Sequence, residues 1–110
     1  MKNNEKCKIY WSLISRYQAL SEDFIREFKN YVDWYSISRF QILSEGFIRE
    51  FQNKVDWSSV SRFQKLSESF IKEFKHKVNW FYIWRCQKLS EKFIIEIQNN
   101  FLKEVKDGIV

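Results

Sequence analysis

The chain contains no proline and only two glycines, Gly46 and Gly108. Flexible loops and glycine-rich phosphate loops need more glycine than this, so the scarcity fits short helices joined by capped corners. One histidine, His76, gives no material for a His-rich metal cluster or a repeated catalytic base. It stands where the other copies of the repeat described below carry Asn30, Asn53 and Asn99, so it reads as an exposed polar residue. Two cysteines, Cys7 and Cys86, lie far apart without metal-ligand spacing, which points to free thiols in a reducing cytoplasm. Cys86 stands where the other copies carry Tyr17, Phe40 and Phe63 and is expected as a small core residue. No apolar run approaches the ~20 residues needed to span a bilayer, so no membrane partner is expected. Lys2, Lys6 and Lys8 suit the basic start of a signal peptide, but Trp11, Ser12, Ser15 and Arg16 interrupt the apolar stretch that should follow. No nucleophile elbow, metal spacing or phosphate loop is present, so neither an enzyme nor a cofactor is expected.

What the chain does have is aromatics, at 19% of residues, and a repeat. From Trp11, Trp34, Trp57 and Trp80, a unit of 23 residues recurs without insertion or deletion. Nine positions are identical in all four copies and read W-x4-R-x-Q-x-L-S-E-x-F-I-x-E. A fixed period in this range marks an array in which each unit packs on its neighbours. The expected organisation is one domain over 1–110. Residues 1–10 form a partial unit, the remnant of a preceding second helix; the repeats are 11–33, 34–56, 57–79 and 80–102; residues 103–110 form a C-terminal cap.

A period of 23 cannot be one unbroken helix. At about 100° per residue the apolar stripe would slip by roughly 140° each repeat and wander around the cylinder. Two break signals recur. Asp33, Asp56 and Asn79 precede a Trp as N-caps of a first helix, A. Ser21, Ser44, Ser67 and Ser90 cap a second helix, B, each followed by a Glu at the positive end of the dipole. In the second copy, helix A is expected from Trp34 to Gln41, with Trp34, Ile37 and Phe40 as its apolar stripe. Helix B is expected from Glu45 to Lys54, with Phe47, Ile48, Phe51 and Val55 inward. Each helix is too short to be stable alone, so stacking must supply the stability. The expected fold is an all-α short-repeat solenoid of four 23-residue helical hairpins with a C-terminal end helix, stopped by Gly108.

The unit resembles the short tandem repeats W-x-x-I-S-x-[YF]-Q-x-L-S-E-x-F-I-x-E-F-x-x-K-V-[DN] of reading frames in large DNA viruses, phages and some bacteria. The likeness covers Trp11 to Leu102 and implies a viral or mobile-element setting; it brings no activity and no site residues with it. The fourth copy departs from the pattern, with Trp84 for Ser, Cys86 for Tyr or Phe, Ile95 for Arg or Lys, and Ile97 for Phe.

Three sets of residues are candidates for function. Arg16, Arg39, Arg62 and Arg85 form a ladder, one per unit. The structural reading pairs them with the repeated Glu residues and with helix ends; the functional reading is a row that tracks phosphates. The net charge of +5 is uneven, with the excess in repeat three through Lys65, Lys72, Lys75 and Lys77 and at the N-terminus. That makes a patch rather than the continuous basic stripe of a dedicated nucleic-acid reader. Repeat four carries Phe81, Tyr82, Trp84 and Ile95, unusual for a terminal unit, which normally turns polar. Trp84 with Ile95 and Phe101 is either a lid over the open core or an exposed anchor for a partner. The expected function is a non-catalytic protein-binding or self-associating scaffold in the cytoplasm, of a host cell if the setting is viral. The alternative is electrostatic nucleic-acid binding through repeat three. Small-molecule capture in aromatic pockets has no motif to support it.

Overall fold

In the computed structural model, which describes residues 4–108, eight helices follow one another and no strand occurs among the described residues. They are α1 (Asn4–Tyr17), α2 (Glu22–Glu27), α3 (Trp34–Phe40), α4 (Glu45–Glu50), α5 (Trp57–Phe63), α6 (Glu68–Glu73), α7 (Trp80–Cys86) and α8 (Glu91–Lys106). The protein is therefore an all-helical repeat whose Trp-headed helices recur every 23 residues. The A helices α1, α3, α5 and α7 stack in order, each on the next, giving an elongated body of 55 × 27 × 22 Å.

The break signals sit where the sequence places them. The hydroxyls of Ser21, Ser44, Ser67 and Ser90 accept from the amides of Phe24, Phe47, Phe70 and Phe93, capping the B helices. At the A helices, Asp56 accepts from Ser59 N–H and Asn79 from Tyr82 N–H. Asp33 binds the hydroxyls of Ser12 and Ser36 instead. Helix B is shorter than the sequence suggests: α4 stops at Glu50, Phe51 is its C-cap, and a hydrogen-bonded turn carries the chain to Val55.

Both ends differ from the interior, and for the same reason. Residues 4–10, expected as the remnant of a preceding B helix, are the first part of α1, which runs on through Trp11. Position 10 is Tyr rather than the Asp or Asn that breaks the other units, so nothing stops the helix. At the far end Leu102 replaces that capping residue and Ile97 replaces the C-cap Phe, so α8 continues to Lys106. Asp107 then caps it and Gly108 turns left-handed at φ 72°. Residues 1–3 and 109–110 of the expected end segments lie outside the described residues.

The core is one row of side chains between the two helix layers: Ile37, Val60 and Ile83 from the A helices, and Phe47, Ile48, Phe70, Ile71, Phe93 and Ile97 from the B helices. In the first three repeats the leading Trp packs on the two Phe of its own repeat, as Trp34 does on Phe47 and Phe51 at 6.2 and 5.1 Å. The indole N–H of Trp34 donates back to the preceding repeat, to the Lys29 carbonyl at 2.9 Å, and Trp57 and Trp80 do the same.

Candidate binding surface

The seams between repeats use nearly every invariant polar residue. Gln41 donates from Nε2 to the carbonyls of Ser15 and Gln18 and accepts at Oε1 from Leu20 N–H. Gln64 and Gln87 repeat this one and two units on. Each Gln thus satisfies the bare C-terminus of the preceding A helix, whose last carbonyls have no partner within the helix. The buried Ser15, Ser38 and Ser61 accept from the amides of Asp33, Asp56 and Asn79. They are small because the next A helix covers them, and they also fix where it begins. Glu22, Glu45 and Glu68 each grip the amide and hydroxyl of the next repeat's Ser cap.

On the B-helix side, Arg26 binds both carboxylate oxygens of Glu50, Arg49 both of Glu73, and Lys72 reaches Glu96 at 2.7 Å. Hydrogen bonding from Arg26 and from Arg49 holds Glu50 and Glu73 below the usual carboxylate range. The same bonds raise the two arginines above theirs.

The A-helix face is different. Arg16, Arg39, Arg62 and Arg85 were expected to pair with the Glu rows; among the described residues none of them forms an ion pair. They lie over aromatic rings. Phe40 is 4.8 Å from the guanidinium carbon of Arg16 and 5.0 Å from that of Arg39. Phe63 is 5.0 Å from Arg39 and 4.9 Å from Arg62. The guanidiniums of Arg16 and Arg39, and those of Arg39 and Arg62, are therefore within about 10 Å of each other, the spacing of packed helices. In repeat four Cys86 offers no ring, and Tyr82 takes Arg62 while Phe81 takes Arg85. Six of the eight repeated Glu residues are engaged elsewhere: Glu22, Glu45 and Glu68 by the Ser caps, and Glu50, Glu73 and Glu96 by Arg26, Arg49 and Lys72.

This arrangement corrects two further expectations. Phe40 and Phe63 are partly exposed, and Cys86 at their position is exposed rather than core. Three residues advance 300° around a helix, so in the stripe Trp34–Ile37–Phe40 the last member lies about 120° from the first and leaves the core. Of the repeat-four candidates, Phe81 and Tyr82 belong to the A-helix face. Trp84 and Ile95 lie at the end of the stack, 41% and 50% exposed. Trp84 leans on Trp80, and it is Phe101 that closes edge-on over Trp80 at 5.3 Å. Three of the four repeat-three lysines are engaged: Lys72 with Glu96, Lys75 with Glu104 at 3.6 Å, and Lys77 with Asn53 at 3.2 Å.

Two hollows open on this face. One of about 150 Å³ is lined by Tyr35, Tyr82, Ser58, Arg39, Arg62 and the cap Asp56. The other, about 290 Å³, is bordered by Arg62, Lys65 and Lys88 without any acid. A wider hollow of about 710 Å³ near the N-terminus touches Cys7, Trp11, Tyr31 and Asp33. His76 is exposed, and no cluster of three His, Cys, Asp or Glu suited to a metal occurs among the described residues. No helix among them is long and apolar enough to cross a membrane. No family model, curated protein or solved structure matches the chain.

The invariant Gln was the residue that sequence reading passed over. An amide kept in all four copies, next to no catalytic group, was the available signal. The partners of Glu50, Glu73 and Glu96 were also missed, because Arg26, Arg49 and Lys72 vary in type.

Proposed function

We propose that the chain is a non-catalytic scaffold that binds another protein through its A-helix face. One observation carries this reading: four repeat-matched guanidiniums, stacked on aromatic rings, have no acidic partner among the described residues, whereas Arg26, Arg49 and Lys72 on the B-helix side each hold a Glu of the next repeat. Arg and aromatic residues are the types that dominate protein-binding hot spots. The rings hold each guanidinium in place beforehand, so little ordering cost remains when a partner arrives. The exposed end around Trp84 and Ile95 is the place where a second copy would attach, should the scaffold self-associate. The exposed free thiols Cys7 and Cys86 favour a reducing cytoplasm, that of a host cell under the viral resemblance.

Selection of random linear peptides displayed against the immobilised chain tests the reading. Enriched peptides should lose at least tenfold in affinity on Arg39→Gln with Arg62→Gln and keep it on Arg26→Gln with Arg49→Gln. Failure to enrich any peptide, or binding insensitive to the A-face changes, overturns it. So does tighter capture of single-stranded DNA or RNA, with a log–log salt slope near −3, about what four phosphate contacts on a single strand give.

A further inference from the structure

Resting on that reading, we infer that the partner segment is an extended acidic stretch of polypeptide with a carboxylate at every third residue, laid across the A helices. The sign of the ligand follows from the charges. The guanidiniums of Arg16, Arg62 and Arg85 have no hydrogen-bond acceptor among the described residues, and Arg39 has only the Tyr35 hydroxyl at 3.0 Å. Each therefore keeps several N–H donors at its edge while its flat side is taken by a ring. A carboxylate approaches such an edge in the plane of the fork and accepts two parallel hydrogen bonds. The lone acid in the smaller hollow, Asp56, is occupied by Ser59 through its amide and hydroxyl, at 3.1 and 2.6 Å.

The spacing follows from the shared rings. Guanidiniums that flank one Phe are within about 10 Å, and a chain extended as polyproline II advances about 3.1 Å per residue with about three residues per turn, which puts every third side chain on one face. Three residues therefore span one rung. The face is also graded along its length. The position three residues after each ladder Arg is Ala19, then Ile42, which is 93% exposed, then Lys65 and Lys88. Lys65 and Lys88 join Arg62 around the larger hollow. The acid-rich end of the segment thus lies over repeats three and four, and an apolar residue over Ile42.

A single-stranded nucleic acid fits this face less well. Its bases need open ring faces on which to stack, and Phe40 and Phe63 each already lie against two guanidiniums. Ile42 would face a sugar-phosphate chain with nothing to bury.

The test is fluorescence anisotropy with three labelled probes: a ten-residue peptide with Glu at positions 1, 4, 7 and 10, an isomer with the four Glu adjacent, and a single-stranded oligothymidine. The spaced peptide should bind at least tenfold tighter than its isomer, weaken with salt, and lose at least tenfold on Arg39→Gln with Arg62→Gln. Arg39→Lys with Arg62→Lys keeps the charge without the fork and should fall between. Arg26→Gln with Arg49→Gln should change nothing, and far-UV circular dichroism confirms that every variant is folded. Equal binding of the two peptides would reduce the face to general charge attraction and overturn the spacing. No binding of either peptide, while display-selected peptides still depend on Arg39 and Arg62, would overturn the acidic segment and leave the protein-binding face standing. Tighter oligothymidine binding with the same arginine dependence would overturn both.

Discussion

Arg39 and Arg49 belong to the same repeat and end in opposite situations. Both lie against two Phe rings, but Arg49 also holds both oxygens of Glu73 at 2.8 Å, whereas Arg39 meets a Tyr hydroxyl and no acid. The first is typical of the seams and the B-helix side, where one repeat's polar groups are completed by the next. The second is typical of the A-helix face, where the repeat supports its arginines from the side and leaves their edges unpaired. Repetition by itself therefore does not distinguish structural from binding residues, because both recur every 23 positions. What distinguishes them is whether the neighbouring repeat supplies a partner.

The strongest way to break that contrast is to remove a seam residue and compare it with its twin at the chain end. Gln64 is 5% exposed and makes three hydrogen bonds to the end of α3 and the segment after it. Gln64→Ala leaves two carbonyls and an amide unpaired beside a new void, and should cost about 3 kcal/mol or more. That is a large share of the 5–15 kcal/mol expected of a whole domain. Gln18 has the same place in repeat one, but its side chain is exposed and makes no hydrogen bond among the described residues, so Gln18→Ala should stay within about 0.5 kcal/mol. Urea titration of both variants decides the matter: equal losses would mean that the seam bonds add little.

A smaller effect is expected at the B-helix caps. Ser67 accepts from Phe70 N–H and donates to Glu45 at 2.9 Å. Ser67→Ala should cost about 1 kcal/mol, the usual value of an N-cap, with somewhat more if the Glu45 contact across the seam contributes. The same denaturation experiment with Glu45→Gln in the background isolates the cross-repeat part. If the cap loss is unchanged there, Glu45 is a bystander.

How much of this was legible beforehand depends on the range of the interaction. The caps at Ser21, Ser44, Ser67 and Ser90 were readable because an N-cap bonds three residues along the chain. The stacking of hairpins was readable because the period is constant. The Gln seam was not, since its bonds reach back 21 to 26 residues and depend on how two A helices meet. The arginine ladder was recognised as a ladder, but its assigned acids already bound Ser44, Ser67 and Ser90 or the variable Arg26, Arg49 and Lys72. Cys86 was misplaced because i, i+3 spacing was read as a straight stripe, although it rotates out of the core within a seven-residue helix.

The smallest expected effect is also the most specific to the B-helix side. Glu73 lies below its ordinary value of 4.5 because Arg49 hydrogen-bonds to it and, secondarily, because of the charge on Arg49; Glu50 is lowered in the same way by Arg26. A carboxylate whose folded-state value is depressed contributes its full stability above the unfolded value. It loses that contribution as pH falls through the folded one. The raised values of Arg49 and Arg26 act only in strong alkali and leave this window untouched. These side chains are exposed to solvent and screened by salt, so the contribution is modest. Melting temperatures of the parent chain and Glu73→Gln should therefore differ at pH 7, with the parent higher, and converge as pH drops below about 4.5. Arg39→Gln, on the opposite face, should show no such convergence, because no carboxylate is paired there to titrate. A pH-independent gap for Glu73→Gln would mean that the Arg49 contact acts through packing of its guanidinium over Phe70 and Phe74 rather than through charge pairing with Glu73.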